Sequence, residues 1–409
     1  MKPAGAGQMA ERAELQERAS FPYYQWMQGE GIPIHFAAAG VPDVTTLERR
    51  PWQRTGKGLG AFIELIGTFQ AERGMFVCEI PPGESLDVQH HLYEQFTLIL
   101  QGQGATEIWQ KNGPKRTFEW SKGSLFAPPK NTYYRMFNLS KEPVIYFGVT
   151  NAPRLFNSLF ATRQKTVSRS LLEFVFNCDY DFTDIYDGRE DYFDRTENRV
   201  AVGRYNASTW YTNFIPNVND EWISDQEQKV AGGQLTHYVM AGEFPSGHIS
   251  EWPVGRYHKA HYHGPGAVLV GLKGHGYVNL WPRELGVHPW QDGHGDEVVL
   301  VEWGPNSIYV PPDGWFHQHM STGKVPARHV AVYPYGNGSP LSVQRPQDEG
   351  GVFTPVREGG PLIDYEDEDP EVRRYFIEAN RREGVECTMP PVVYRTDPFD
   401  LPWDKRSSR

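Results

Sequence analysis

The sequence predicts an all-β chain, and three observations carry that prediction. Glycine (41) and proline (32) are abundant and spread along the 409 residues. Between them lie short β-branched and aromatic runs: "GAFIELIG", "GMFVCEIPPG", "FTLILQG", "GSLFAPP" and "VIYFGVT". Runs of this length between turn formers are the pattern of short strands in a sandwich or barrel. Helical periodicity is confined to the ends, over residues 9–19 and 369–383. In the second of these, Asp369 and Pro370 supply an N-cap and a first helical residue.

Composition narrows the class. At roughly 150 residues per domain, two or three domains are expected. Hydrophobic residues (39%) and aromatics (13%) suffice for sizeable cores. The formal net charge of −11 and the lack of a long basic run argue against a nucleic-acid partner. No run of about 18 apolar residues occurs, so no membrane span is expected. Cys78, Cys178 and Cys387 form no CxxC, which supports neither a disulfide framework nor a thiolate zinc site. The opening "MKPAGAGQMAERAELQERAS" has no apolar segment of a secretory signal, and a soluble cytoplasmic protein is expected.

The chain repeats itself. "EIPPGESLDVQHHLYEQFTLILQGQG" from Glu79 aligns without gaps with "EWPVGRYHKAHYHGPGAVLVGLKGHG" from Glu251, an offset of 172. "EWSKGSLFAPPKNTYYRMFN" from Glu119 aligns with "EWGPNSIYVPPDGWFHQHMS" from Glu302, an offset of 183. Between the two matches the second copy has eleven extra residues, including the polar "HPWQDGHGDE". Two long matches in the same order indicate a duplicated β-domain.

Each copy resembles the cupin family, whose motifs are G-x5-H-x-H-x3–4-E-x6-G and G-x5-P-x-G-x2-H-x3-N. The resemblance covers roughly residues 55–150 and 235–338. It implies a bicupin of two antiparallel double-stranded β-helix (jelly-roll) barrels, with helical terminal extensions. The divisions it suggests are residues 1–45 (N-terminal extension), 46–155 (first cupin), 156–215 (acidic and aromatic linker), 216–340 (second cupin) and 341–409 (C-terminal extension).

In the first copy, Gly83 sets the register. Gln89, His91, Gln95 and Tyr134 then fall on the four ligand positions, so one strong ligand remains and no metal is expected there. His90 and Glu94 lie one residue out of phase, which on a strand is the opposite face. In the second copy, Gly255 leads to His261 and His263 on both histidine positions, and "PPDGWFHQH" places His317 on the third. Residues i and i+2 of a strand share a face, so these imidazoles can meet as metal ligands. The Glu position is Ala267. His319 shares the face of His317, and geometry alone lets either reach a metal. The register selects His317 and leaves His319 behind it. His258 and His275 are out of phase and are expected at the surface or in loops.

Three neutral imidazoles leave the charge of a divalent ion uncompensated. Such a centre favours a small anionic, bidentate substrate and leaves a position for O2. The set His261, His263, Ala267, Gly274, Trp315, His317 and His319 is similar to the gentisate and salicylate 1,2-dioxygenase branch of bicupins. That branch keeps its metal in the first cupin, whereas here the intact set is in the second. The resemblance implies Fe(II), with Mn, Ni, Cu or Zn as other candidates, and O2-dependent cleavage of a small hydroxylated aromatic or enolic acid. A metal-dependent lyase, isomerase or decarboxylase and a ligand-sensing bicupin are the alternatives. Candidate catalytic residues besides His319 are His329 and Tyr333, expected on the next strand, and Arg256 and Arg328 as partners for a substrate carboxylate. Trp315, Phe316, Tyr309 and Tyr333 are expected to wall the pocket. A homo-oligomer, dimer or tetramer, is expected. Residues 176–197 are expected to wrap the barrels or form a dimer contact. "IDYEDED" reads as a solvated charge run before the C-terminal helix.

Overall fold

The computed structural model describes residues 18–65, 73–159, 167–194, 198–200, 209–220, 233–241, 246–263, 267–333, 354–399 and 401. Short strands dominate it. The first half pairs into an eight-stranded and a four-stranded sheet, the second half into an eight-stranded and a three-stranded sheet. In each unit the two sheets pack together. Phe76, Cys78 and Ile99 of the first large sheet meet Ile108, Trp120 and Met136 of its small sheet. In the second unit, Trp252 and Ala331 meet Val278 and Leu280 in the same way. Among the described residues the strand ladders form paired sheets, and no ladder closes either unit into a continuous barrel.

The near-continuous apolar runs have a physical reason. "QFTLILQ" (Gln95–Gln101) and "VIYFGVT" (Val144–Thr150) are buried on both faces. One face packs inside its own unit and the other against the second unit. Leu98 and Phe147 thus join Tyr238, Ile249, Val268 and Val330 in a core shared by the two units.

The units also trade edges. Gly40–Val41, just after the first unit's opening strand, pairs with Ile308–Tyr309 of the second. Phe214–Ile215, just after the second unit's opening parallel strand, pairs with Leu125–Phe126 of the first. Each unit further begins with a parallel pair, Ile34–Ala37 with Phe62–Leu65 and Thr209–Tyr211 with His237–Val239. The duplication therefore extends beyond the two sequence matches.

The C-terminal helix spans Pro370–Glu383, with Asp369 accepting a hydrogen bond from the Glu371 amide and Gly384 closing it in the left-handed region. The N-terminal helical segment 9–19 lies almost wholly outside the described residues, and a further helix covers Pro22–Gly29. Helices are not confined to the ends. Ala152–Leu159 and Arg169–Phe176 lie in the middle. They are too short for their periodicity to stand out from an amphipathic linker. Leu171, Val175, Tyr186, Tyr192 and Phe193 are buried in the first unit's core, so this acidic, aromatic stretch wraps that unit. No helix among the described residues is long and apolar enough to cross a membrane.

Candidate metal centre

His261 and His317 come from distant segments and are joined at the backbone. The His317 amide donates to the His261 carbonyl at 2.9 Å, and the His261 amide donates back at 3.2 Å. This exchange is a hydrogen-bonded antiparallel pair, which aims both side chains to one side. His263 follows two residues on. The ligand atoms of His261, His263 and His317 lie within 4.8 Å of one another, the only such group among the described residues. Neighbouring carbonyls orient the rings. His261 Nδ1 lies 3.1 Å from the Lys259 carbonyl, and His317 Nδ1 lies 3.3 Å from the Trp315 carbonyl. A carbonyl only accepts, so each Nδ1 carries the proton and each Nε2 presents its lone pair. The donor set suits Zn, Fe, Cu or Ni, and no carboxylate belongs to it.

The turn feeding this loop requires glycine. Gly255 has φ +72°, and a Cβ there would sit 2.2 Å from the Glu386 carbonyl oxygen.

Behind the three histidines the second unit is lined by rings. His319 Nδ1 lies 3.0 Å from the Tyr309 hydroxyl, and its ring is 5.6 Å from that of His317. His329 is fully buried, stacked on Trp252 at 5.0 Å and edge-on to Trp303 at 4.4 Å. Neither of its ring nitrogens has a hydrogen-bond partner among the described residues, and burial pushes its pKa down to about 3. The Trp252 and Trp303 indole nitrogens are likewise buried without a partner. Tyr333 shares this interior and meets His248 Nδ1 at 3.3 Å.

Three expectations are corrected, those for Arg328 and Phe316 by strand alternation and that for Arg256 by its contact at a turn. Arg328 is one residue out of phase with His329. It pairs with Glu251 at 3.2 Å and with the Val218 carbonyl at 2.9 Å on the other face of the sheet. Arg256 bonds Thr388 Oγ1 at 3.0 Å on the C-terminal extension, so it too points away from the three histidines. Phe316 faces outward with Trp281 and Ile363 and does not wall the interior. His258 departs in the other direction. It lies in a loop, yet its ring packs 4.8 Å from Trp252 and 5.1 Å from His319. His275 is half exposed, 3.7 Å from Glu383.

The "IDYEDED" run is not solvated: Asp367, Glu368 and Asp369 are all buried. Each has dedicated partners. Asp367 pairs with Arg357 and Arg395 at 2.6 and 2.7 Å. Asp369 also accepts from the Trp290 and Gln291 amides. Glu368 accepts from the Tyr257 hydroxyl and, at 3.1 Å, from Gln318. Burial raises the Glu368 carboxyl to about 8, against these two hydrogen bonds. Composition cannot reveal such partners, which lie 50 and 111 residues away in the chain.

In the first unit the equivalent place is filled. His91 Nδ1 meets the Tyr93 carbonyl at 2.8 Å and Nε2 meets the Tyr134 hydroxyl at 2.9 Å. Both nitrogens are thus engaged within the protein.

Fold and site together define a duplicated two-sheet β-protein with, among the described residues, one three-histidine centre, in its second unit. No protein-family model matches the chain, and no curated protein matches it. Among solved structures, a Bacillus subtilis oxalate decarboxylase variant is similar at 11% identity and a TM-score of 0.46, over 73% of this chain and 78% of that one. A Momordica charantia 7S globulin is similar at 13% identity and a TM-score of 0.45, over 73% and 85%. Likenesses this distant carry no argument about the chemistry of the chain.

Proposed function

We propose that this chain is a metal-dependent enzyme of bicupin type that acts on a small anionic acid at His261, His263 and His317. The observation behind it is the convergence of three oriented imidazoles, without a carboxylate, on an interior lined by Trp252, Tyr309, His319 and Tyr333. A divalent ion bound there would supply Lewis acidity and charge for a chelating carboxylate or enolate. The protein's own groups do the rest. The aromatic walls exclude water and favour a flat substrate. His319, held by Tyr309, is placed to hold or pass a proton beside the substrate.

Two reactions fit. An O2-dependent dioxygenase, with Fe(II), accords with a donor set that leaves positions open and supplies no negative charge. A lyase, isomerase or decarboxylase accords with the His319–Tyr309 pair, which can deliver a proton without any oxidant. Oxygen uptake during turnover of a panel of hydroxybenzoates, β-diketones and small dicarboxylic acids separates them. Undiminished anaerobic turnover would exclude the dioxygenase. No turnover of any acid, with only a spectral change on binding, would exclude both and leave a ligand sensor.

A further inference from the structure

The C-terminal segment after residue 353 is stitched to the loop that carries two of the three histidines. The Ile363 amide donates to the Ala260 carbonyl at 2.8 Å, and the Tyr262 amide to the Pro361 carbonyl at 3.2 Å. His261 bridges to Leu362 on one side as it bridges to His317 on the other. Lys259 pairs with Asp364 at 2.7 Å, and the Tyr365 hydroxyl donates to the Tyr257 carbonyl at 2.7 Å. From Tyr257 to Tyr262 the loop is held along almost its whole length.

Glu368 ties this loop to the third ligand's strand. One carboxyl oxygen accepts from Tyr257, which opens the histidine loop. The other accepts from Gln318, the residue between His317 and His319. The same Gln318 amide nitrogen donates to the His258 carbonyl at 3.0 Å, so both of its N–H groups join the two segments. Glu368 is 3% exposed and Tyr257 is fully buried. A carboxyl group this buried is costly to place unless its bonds do something.

We propose that Glu368 is a positioning residue of the metal centre, and that residues 361–368 form a clamp fixing the spacing between His261 and His263 on one side and His317 on the other. It touches neither metal nor substrate. It acts through Tyr257 and Gln318, as groups behind metal ligands commonly tune affinity. The proposal rests on the reading of the three histidines as a metal site.

The test is Co(II) titration of the full-length chain stripped with a chelator, read by visible absorption and by competition for affinity. Wild type should bind Co(II) and His317→Ala should not. Failure of that arm overturns the metal reading, and the clamp with it. Given that arm, Glu368→Ala should weaken Co(II) binding roughly 10–100-fold and alter the absorption envelope. Glu368→Gln, which keeps the shape and one acceptor, should recover much of both. Tyr257→Phe should reproduce part of the loss and serves in place of Glu368→Ala if that variant does not fold. Val372→Ala, a cavity in the adjoining helix, should lower the melting temperature and leave cobalt affinity and spectrum at wild type. The proposal fails if the Glu368 and Tyr257 variants bind Co(II) like wild type, or if Val372→Ala shifts affinity as much as they do.

Discussion

The Tyr134 hydroxyl donates to His91 Nε2 at 2.9 Å, because His91 Nδ1 gives its proton to the Tyr93 carbonyl, and Tyr134 and His91 occupy the positions that His317 and His263 hold in the other copy. Equivalent positions of the duplicated scaffold thus hold a hydrogen-bonded pair in the first copy and two of the three converging imidazoles in the second. We expect one ion per chain. Elemental analysis of purified protein checks this: His91→Ala should leave the metal content unchanged, and His261→Ala or His263→Ala should abolish it. Two ions per chain would contradict the reading.

His317 and His319 share a strand face, and the structure gives them different neighbours. His317 converges with the other two ligands, whereas His319 turns to Tyr309. His317→Ala should lose the metal. His319→Ala should keep most of it and lower turnover by about 10²–10⁴-fold, with an altered pH profile. Tyr309→Phe, which removes only the hydroxyl, should show a milder form of the same phenotype. Metal retention in the His317 variant and loss in the His319 variant would reverse the assignment.

Burial makes the fold sensitive to acid. His91 and His329 are both pushed down to about 3 in the folded chain, from an ordinary value of 6.5. Between these values the unfolded chain takes up protons that the folded chain refuses. Their contribution is therefore fully present above pH 6.5 and is lost as pH falls toward 3. From pH 7 to pH 5 each should cost about 2 kcal/mol of stability. His329→Phe should flatten this pH dependence by about half in urea unfolding. At pH 7 it should leave stability equal or higher, since it removes two buried polar atoms without partners. An unchanged slope would show that His329 does not titrate as described.

Asp369 does more than begin a helix. It accepts from the Glu371 amide at the helix start and from the Trp290 and Gln291 amides of the long loop in the second unit. Asp369→Ala should cost at least about 2 kcal/mol, because a cap is lost and two amides are left without acceptors. Asp369→Asn should retain part of that. Chemical denaturation of both variants measures it, and a loss confined to a few tenths of a kcal/mol would show that the loop contact contributes nothing.

The parts legible in the sequence were those with a period or a register. Short apolar runs between turn residues mark the strands, the two gapless matches mark the repeat, and counting from Gly255 and Pro312 marks the three converging histidines. The C-terminal helix was legible because its cap and its glycine stop are both local signals. The misplaced residues were those whose side chains depend on partners far away in the chain. Arg328 sits beside His329 but one position out of phase, and Arg256, at a turn, is drawn to Thr388 of the C-terminal extension. Glu368 resembled a surface acid because no local pattern records that Tyr257 and Gln318 surround it. His258 lies in a loop, and only the approach of Trp252 and His319 turns it inward.

The traded edges have a consequence during synthesis. The pair Gly40–Val41 leaves the ribosome early, yet its partner Ile308–Tyr309 emerges only near the end of the second unit. The first unit in turn waits for Phe214–Ile215 to cover Leu125–Phe126. A nascent chain therefore carries an unsatisfied edge until both copies are made, and neither copy is complete by itself. Within one chain each copy supplies the edge strand that the other lacks, so cutting the chain between them would leave a ladder of unpaired backbone groups on both.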